Sequence, residues 1–130
     1  MSLDVAPRLL KQAEAGDVNE AEFAETVAAS LPYAHAMVAK LATELHADPE
    51  QPFVDNQIAP TDPERAQLLR ALASDAIRGS LERRFKVKLA FQNCHRVAVF
   101  RPDEVGSQTY RRFTSERAQI LNQSPELRDC

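Results

Sequence analysis

The sequence predicts a mainly α-helical α+β protein, with about five helices and one small β-hairpin. The chain has only three glycines and no tryptophan, and alanine is abundant in its first 76 residues, a composition that favours helices. Apolar residues recur at helical spacing up to about residue 85, and the period then changes to two between residues 86 and 100. A length of 130 residues suits one domain, so residues 1–130 are predicted to form a single unit.

Three helices are predicted before residue 48. The first spans about residues 5–15, with Asp4 as its cap and a glycine directly after its end. The second begins at Asn19, which is followed three residues later by a glutamate, as in a capping box. Ser30 is the expected cap of the third helix. One apolar face of that helix is formed by Tyr33, Met37, Val38, Leu41 and Leu45.

A proline-rich strap is predicted at residues 48–61, because its prolines prevent helix formation. Phe53 and Ile58 indicate that the strap lies on the body of the protein. Thr61, followed three residues later by a glutamate, then begins a central long helix near residues 62–85. Its expected apolar face consists of Leu68, Leu69, Leu72, Ala73, Ala76, Ile77, Leu81 and Phe85.

The β-hairpin is predicted near residues 86–100. In "VKLAF", the large apolar residues Val87, Leu89 and Phe91 alternate with Lys88 and Ala90, whereas "RVAVF" is rich in β-branched and aromatic residues. Both patterns are typical of strands. The four residues "QNCH" are the expected connection, in which Asn93 tolerates a left-handed backbone. Since this stretch has no glycine, one long strand with a bulge is the alternative. A last helix is expected from Ser107 to Asn122. The residues that it should bury are Tyr110, Phe113, Ile120 and Leu121.

The charges of the chain are distributed unevenly. Residues 1–62 carry eleven acids and three bases, whereas residues 63–130 carry thirteen bases and eight acids. A basic half can bind nucleic acid, but here no basic run is interleaved with aromatic residues. Nucleic-acid binding is therefore possible but not favoured. Two oppositely charged surfaces that attract each other, within a monomer or across a dimer, explain the pattern more simply.

The N-terminus and the hydropathy of the chain predict a cytoplasmic protein. The chain contains no apolar run of the roughly 18 residues that a membrane span needs. Its first residues lack the basic flank and apolar centre of a signal peptide. The two cysteines, Cys94 and Cys130, are therefore expected to stay reduced, with no disulfide between them.

The stretch "FQNCHR" contains the candidate catalytic residues, Cys94 and His95. A histidine activates a thiol only when the two groups touch, and neighbours in a regular strand point to opposite faces. The spacing therefore favours a structural role, in which Cys94 packs as a small apolar residue. In a turn, both side chains could instead face outward. The alternative is a thiol enzyme or redox sensor centred on Cys94, with Cys130 as the resolving cysteine.

Several polar side chains are candidate ligand-binding residues, because amide and guanidinium groups are common in binding sites. They are Asp55, Asn56, Gln57, Asn93, Arg96, Asn122 and Gln123. Satisfaction of local backbone groups explains the same residues equally well. No phosphate-binding loop or dinucleotide fingerprint is present, so no cofactor is expected.

No metal site is predicted. His35 and His46 lie eleven residues apart on one helix, about 16 Å along its axis, so they cannot share an ion. The sequence has no Cys-x-x-Cys or His-x-x-x-His motif. The one arrangement worth testing is a cluster of Cys94, His95 and Cys130 with an added aspartate.

The long stretches of the chain resemble a known group of proteins. The stretches are "SLPYA", "DNQ", "LLRALASDAIRG", "LAFQNCHRVAVF" and "RFTSERAQILNQSPELRDC". They resemble an uncharacterised family of small actinobacterial, Streptomyces-type proteins that are described only as hypothetical and have no known function. The resemblance covers nearly the whole chain and implies an intracellular actinobacterial protein, complete as one domain. It implies no activity, cofactor or catalytic residue.

The functional prediction is an interaction or regulatory module that binds a protein partner and performs no bond chemistry. A homodimer is expected, because a two-stranded hairpin is marginal alone and the sequence shows no third clear strand. A second copy could complete a four-stranded sheet across a two-fold axis. The alternatives are the thiol enzyme or sensor and a nucleic-acid accessory protein that uses the basic C-terminal half.

Overall fold

The computed structural model describes residues 2–56, 58, 60–92 and 96–122, and this part of the chain is mostly helical. Its helices are α1 Pro7–Ala15, α2 Glu20–Ser30, α3 Pro32–Ala47, α4 Asp62–Leu72, α5 Asp75–Phe85, α6 Gln108–Phe113 and α7 Glu116–Leu121. Its strands are β1 Phe53–Asp55, β2 Lys88–Phe91 and β3 Val97–Phe100. The predicted α+β class is confirmed. None of the described helices is both long and apolar enough to cross a membrane.

Local side-chain caps begin two of the helices, as predicted. The Asn19 side chain accepts a hydrogen bond from the amide of Glu22 at 3.0 Å, at the start of α2. Thr61 and Glu64 form a complete capping box at the start of α4. At the end of α1, Gly16 adopts a left-handed backbone with φ of 82°, which glycine reaches without steric cost. These boundaries follow from short-range chemistry.

The caps predicted at Asp4 and Ser30 are wrong, because the N-cap positions of α1 and α3 are occupied by Ala6 and Leu31. The backbone amide of Asp4 donates to Ser30 Oγ at 2.8 Å, which ties the N-terminal segment to the end of α2. The start of α3 is capped from a distant helix. There, Gln67 Oε1 accepts hydrogen bonds from the amides of Tyr33 and Ala34, at 2.7 and 3.2 Å.

The predicted long helix at 62–85 is two helices, α4 and α5. Ser74 lies between them in an extended conformation, with φ of −101° and ψ of 118°, and its hydroxyl accepts from the Ile77 amide at 3.3 Å. Arg78 Nη1 donates to the Leu72 carbonyl at 2.9 Å, which satisfies the end of α4. Because both ends have partners, the break leaves these backbone groups satisfied.

The sheet has three antiparallel strands in the order β1-β3-β2. The predicted hairpin is present as β2 and β3, and the strap supplies β1, whose Val54 lies opposite Val99. Side chains of β3 alternate between the two faces of the sheet. Val97 and Val99 join the helical core, whereas Phe100 packs with Phe113 of α6 in a smaller cluster.

The presence of β1 removes the premise for a shared-sheet homodimer. The hairpin has its third strand within one chain, contrary to the sequence-based expectation. The outer edge of β2 is also partly occupied, because Glu82 Oε2 accepts a hydrogen bond from the Leu89 amide at 2.8 Å. A homodimer stays a prediction, but pairing through β2 would have to displace this carboxylate.

The core lies between the sheet and helices α2 to α5. Leu72 belongs to it, with 5% of its surface exposed. The predicted last helix is divided at Ser115, whose hydroxyl caps α7 by accepting from the Ala118 amide at 3.1 Å. Phe113 is buried as expected, but Ile120 and Leu121 are wrongly predicted as core, since 70% and 64% of their surfaces are exposed.

Candidate functional site

The described candidate residues meet at the end of the sheet where β2 and β3 connect. They are Asp55, Asn56, Arg96 and Asn122, from three separate places in the sequence. The other candidates lie outside the described residues. These are Gln57, Asn93, Cys94, His95 and Gln123, together with Cys130.

Arg96 is the centre of the group. It stands directly before β3, and Asp55 ends the neighbouring strand β1. Both Nε and Nη2 of Arg96 donate to Asp55 Oδ2, at 2.9 and 2.5 Å. The aspartate side chain is 13% exposed and the arginine side chain 37% exposed. This pairing holds the guanidinium in a defined orientation, because two of its nitrogens are bonded to one carboxylate.

Gln92 links the arginine to the C-terminal helices. It follows β2 directly, and only 7% of its surface is exposed. Its Oε1 accepts from Arg96 Nη1 at 3.3 Å and from Asn122 Nδ2 at 2.5 Å. Its Nε2 donates to the Phe113 carbonyl at 2.8 Å. A buried amide with this many partners fixes the distance between the sheet and α6 to α7.

A cleft of about 380 Å³ opens beside this network. Its lining includes three arginines, which are Arg96, Arg112 and Arg117. Phe113 lies at its base, with the Arg96 guanidinium carbon 5.3 Å from the ring centroid, a cation–π distance. Arg112 and Arg117 are exposed, and neither makes an ion pair with any residue of the described chain. The cleft therefore offers positive charge beside an apolar surface.

Asn56 has a structural task within the sheet. Its side-chain Oδ1 accepts a hydrogen bond from the backbone amide of Val97 at 3.0 Å, and its backbone amide donates to the Val97 carbonyl at 3.2 Å. The asparagine thus extends the pairing of β1 with β3 by one residue. Of the ligand candidates that the structure describes, Arg96 and Asn122 line the cleft, whereas Asn56 does not.

Sequence reasoning missed Gln92, Arg112 and Arg117 as site residues. A signal for Gln92 was present in the spacing. Lys88, Ala90 and Gln92 occupy every second position of β2 and the residue after it, so their side chains lie on the same face of the sheet. Ala90 packs in the small cluster with Phe113, so the next residue on that face also points toward α6. The two arginines had no comparable signal, since they face the cleft only after α6 and α7 fold against the sheet.

Among the described residues, the side chains with clearly shifted pKa values lie on α3, outside the cleft. Burial raises the pKa of Tyr33, and the nearby Glu64 carboxylate adds to that effect. Burial lowers the pKa of His35, and the positive charge of Arg84 lowers it further. The Nε2 atom of His35 is buried and has no hydrogen-bond partner. Both shifts favour the neutral side chains, which suits packing rather than catalysis.

Among the residues that the structure covers, no three His, Cys, Asp or Glu side chains are grouped so that they could hold a metal ion. The Cys94–His95–Cys130 arrangement lies outside this part of the chain. Arg96, Arg112 and Arg117 are donors only and cannot ligate a cation. The chemistry that the cleft offers is the binding of an anionic group.

The fold and the cleft define an α+β protein with an arginine-lined cleft at one end of a three-stranded sheet. A family model described as "NucS shadow ORF" matches residues 1–130. The chain therefore belongs to the NucS shadow ORF family. That description names no activity. A search of curated proteins found no match, and a search of solved structures found none either.

Proposed function

We propose that this protein is a binding module that recognises an acidic segment of a partner protein in the arginine-lined cleft. The observation that carries the proposal is the convergence of Arg96, Arg112 and Arg117 around one open cleft of about 380 Å³. A guanidinium group matches a carboxylate in shape and charge and can bond to it through two nitrogens. Binding of this kind needs no bond chemistry, cofactor or metal.

The surplus positive charge comes from Arg112 and Arg117. The charge of Arg96 is balanced by Asp55, so this arginine mainly shapes the cleft. The other two guanidinium groups have no ion-pair partner among the described residues and are exposed. An incoming carboxylate can therefore pair with them without displacing an acid of the described part of the chain.

The apolar part of the cleft favours an acidic segment that also carries an aliphatic or aromatic side chain. Phe53 and Phe113 belong to the lining, with their ring centroids 5.8 Å apart, and Leu121 is 64% exposed at the rim. Burial of an apolar side chain against these residues would add affinity, while the arginines would set orientation and association rate.

The test is fluorescence anisotropy with a labelled ten-residue peptide of Glu, Asp and one Leu, against a scrambled peptide of Gln, Asn and one Leu. Arg112→Glu and Arg117→Glu are each expected to weaken binding about tenfold, because each replaces an attraction by a repulsion. Arg111→Glu is the matched control, since this neighbouring arginine is exposed but does not line the cleft. Equal losses from Arg111→Glu and Arg112→Glu would show a diffuse charge effect and would overturn the cleft proposal.

Nucleic acid is the competing class of ligand. One common class of RNA-binding domain clamps nucleotides with a Gly-x-x-Gly loop. The three glycines of this chain are Gly16, Gly79 and Gly106, so that loop is absent from the sequence. For this reason an acidic protein segment is the favoured ligand. Tighter binding of a ten-nucleotide RNA than of the acidic peptide would reverse the choice.

The thiol alternative stays a prediction, because Cys94, His95 and Cys130 lie outside the described residues. An unusually fast reaction of Cys94 with a thiol reagent at neutral pH would support it. The cytoplasmic location and the actinobacterial origin also remain proposals. Both rest on the resemblance of the sequence to a family of small actinobacterial proteins.

A further inference from the structure

A second surface with exposed apolar side chains lies at the opposite end of the sequence. Helices α1, α2 and α5 surround a groove of about 600 Å³. Leu9 and Phe23 form part of its wall, and three further aliphatic residues are largely exposed there. These are Val5, Leu10 and Val18, at 44%, 53% and 45% exposure. Side chains of this kind, grouped in one groove, are typical of a protein contact surface.

The N-terminal part of the chain around this groove is acidic, and the base in the groove lining, Arg83, pairs with Glu20. Residues 1–25 contain six acids and two bases. Glu14 and Asp17 are exposed and flank Ala13 and Val18, which line the groove. The groove therefore suits a partner surface that combines apolar side chains with positive charge.

The surface of α6 and α7 has this combination. Ile120 and Leu121 are 70% and 64% exposed. Residues 108–121 contain three bases and one acid, and two of those bases are Arg112 and Arg117 of the cleft. The two ends of the chain are thus complementary both in charge and in exposed apolar area.

We propose that the partner is a second copy of this chain, with α7 of one protomer seated in the α1–α2–α5 groove of the other. Ile120 would contact Leu10 and Val18, while Arg112 and Arg117 would face Glu14 and Asp17. Each copy has both surfaces, so a two-fold arrangement forms the contact twice, as closed symmetric dimers do. The inference rests on the proposed function, since it names the α1–α2 turn as the acidic segment that the arginines recognise.

This arrangement also differs from a shared sheet. It does not use the outer edge of β2, where the Leu89 amide already donates a hydrogen bond to the Glu82 carboxylate. It uses residues whose side chains are exposed in the single chain, so no element has to rearrange on association. The homodimer predicted from the sequence would then form through the α7–groove contact, and no strands of the two copies would need to pair.

Sedimentation velocity of the full chain from 1 to 200 µM, roughly the range of weak to moderate association, tests the inference. Wild-type protein is expected to sediment as a dimer in the upper part of this range. Leu10→Asp and Ile120→Asp should each weaken self-association at least about tenfold, because each places a charge in an apolar contact. Leu69→Asp is the matched control, since Leu69 is 42% exposed and lines neither surface.

Charge reversal provides the decisive arm. The variant Glu14→Lys with Asp17→Lys should lose self-association, and so should Arg112→Glu with Arg117→Glu. An equimolar mixture of the two variants tests the same contact between unlike chains. Each mixed pair contains one contact with the wild-type charges and one contact with both charges reversed, so both contacts are attractive and association should reappear in the mixture. Circular dichroism of each variant checks that the helical fold is retained.

The outcomes separate the inference from the function on which it rests. A wild-type mass near 14.5 kDa throughout the range would overturn the self-association, even where the acidic peptide still binds the cleft. Association without recovery in the mixture would overturn the assignment of the surfaces. Absence of peptide binding in a protein that dimerises with recovery would show that the cleft accepts the α1–α2 turn of a second copy, and it would overturn the recognition of acidic segments of other proteins.

Discussion

Arg101→Met is predicted to be among the most destabilising substitutions of a charged residue in this protein. Arg101 follows β3 and reaches to the end of α3, where its Nη2 donates to the carbonyls of Leu45 and Asp48 at 2.7 and 2.5 Å. Its Nε donates to the Gln51 carbonyl at 2.8 Å. One guanidinium thereby satisfies three backbone acceptors and ties the end of α3 to the sheet. Methionine retains much of the apolar stem but none of these donors.

The expected loss follows from these contacts. Hydrogen bonds to charged groups contribute about 1.5–3 kcal/mol each, but these are partly exposed and water can replace some of them. A total loss of about 2–4 kcal/mol is therefore expected. An unfolding entropy of about 2.1 cal/mol/K per residue, over 130 residues, converts this loss into a decrease of about 7–15 °C in Tm.

Thermal unfolding followed by circular dichroism at neutral pH measures this effect. Arg111→Met is the control, because Arg111 is exposed and makes no ion pair with the described part of the chain, and its Tm should change by less than about 2 °C. Arg101→Lys should fall between the two, since an ammonium group keeps the charge but cannot span three carbonyls. A Tm for Arg101→Met that matches the Arg111→Met control would refute the argument that this guanidinium holds α3 to the sheet.

Three further predictions concern other parts of the molecule. Leu72→Ala should lower the free energy of unfolding in urea by about 2–5 kcal/mol, because Leu72 is only 5% exposed. Leu69→Ala on the same helix should lower it far less, because Leu69 is 42% exposed. Equal losses would mean that the core face of α4 is wrongly assigned. Burial lowers the pKa of folded His35, so the unfolded chain takes up its proton first as the pH falls below about 6.5. Stability should therefore be intact above that pH and decrease below it. His35→Phe should reduce the difference in urea midpoint between pH 7.5 and pH 5.5. An unchanged difference would mean that His35 is not the group responsible for this pH dependence. Mass spectrometry after rapid alkylation of cell extracts should show both Cys94 and Cys130 modified, and a dominant Cys94–Cys130 disulfide would contradict the predicted reduced state.

The sequence by itself determined the elements whose signals are local. Asn19 and Thr61 begin helices because their side chains bond to amides three residues ahead, and such contacts can be recognised from spacing alone. The alternation around Leu89 and Val99 predicts a hairpin for the same reason, since a period of two is a property of one strand. The mainly helical class with a small sheet followed from these patterns.

Tertiary structure decided where those elements end and what they meet. The strand β1 has three residues, too few for a periodic pattern, and it is a strand because Val54 pairs with Val99 from a distant part of the chain. The break at Ser74 was missed because the apolar face continues on both sides of it. There Ser74 caps α5 by accepting from the Ile77 amide, and Arg78 donates to the Leu72 carbonyl at the end of α4. These two contacts stabilise two helices instead of one.

The candidate site shows the same division. Sequence composition selected Asp55, Arg96 and Asn122 as candidate polar residues, but it had no means to place them together. Their meeting depends on Gln92, whose buried amide bonds to Arg96 and Asn122 across separations of four and 30 residues. The cleft exists because α6 and α7 fold against the end of the sheet, and contacts between distant segments of this kind leave no periodic signal in the sequence.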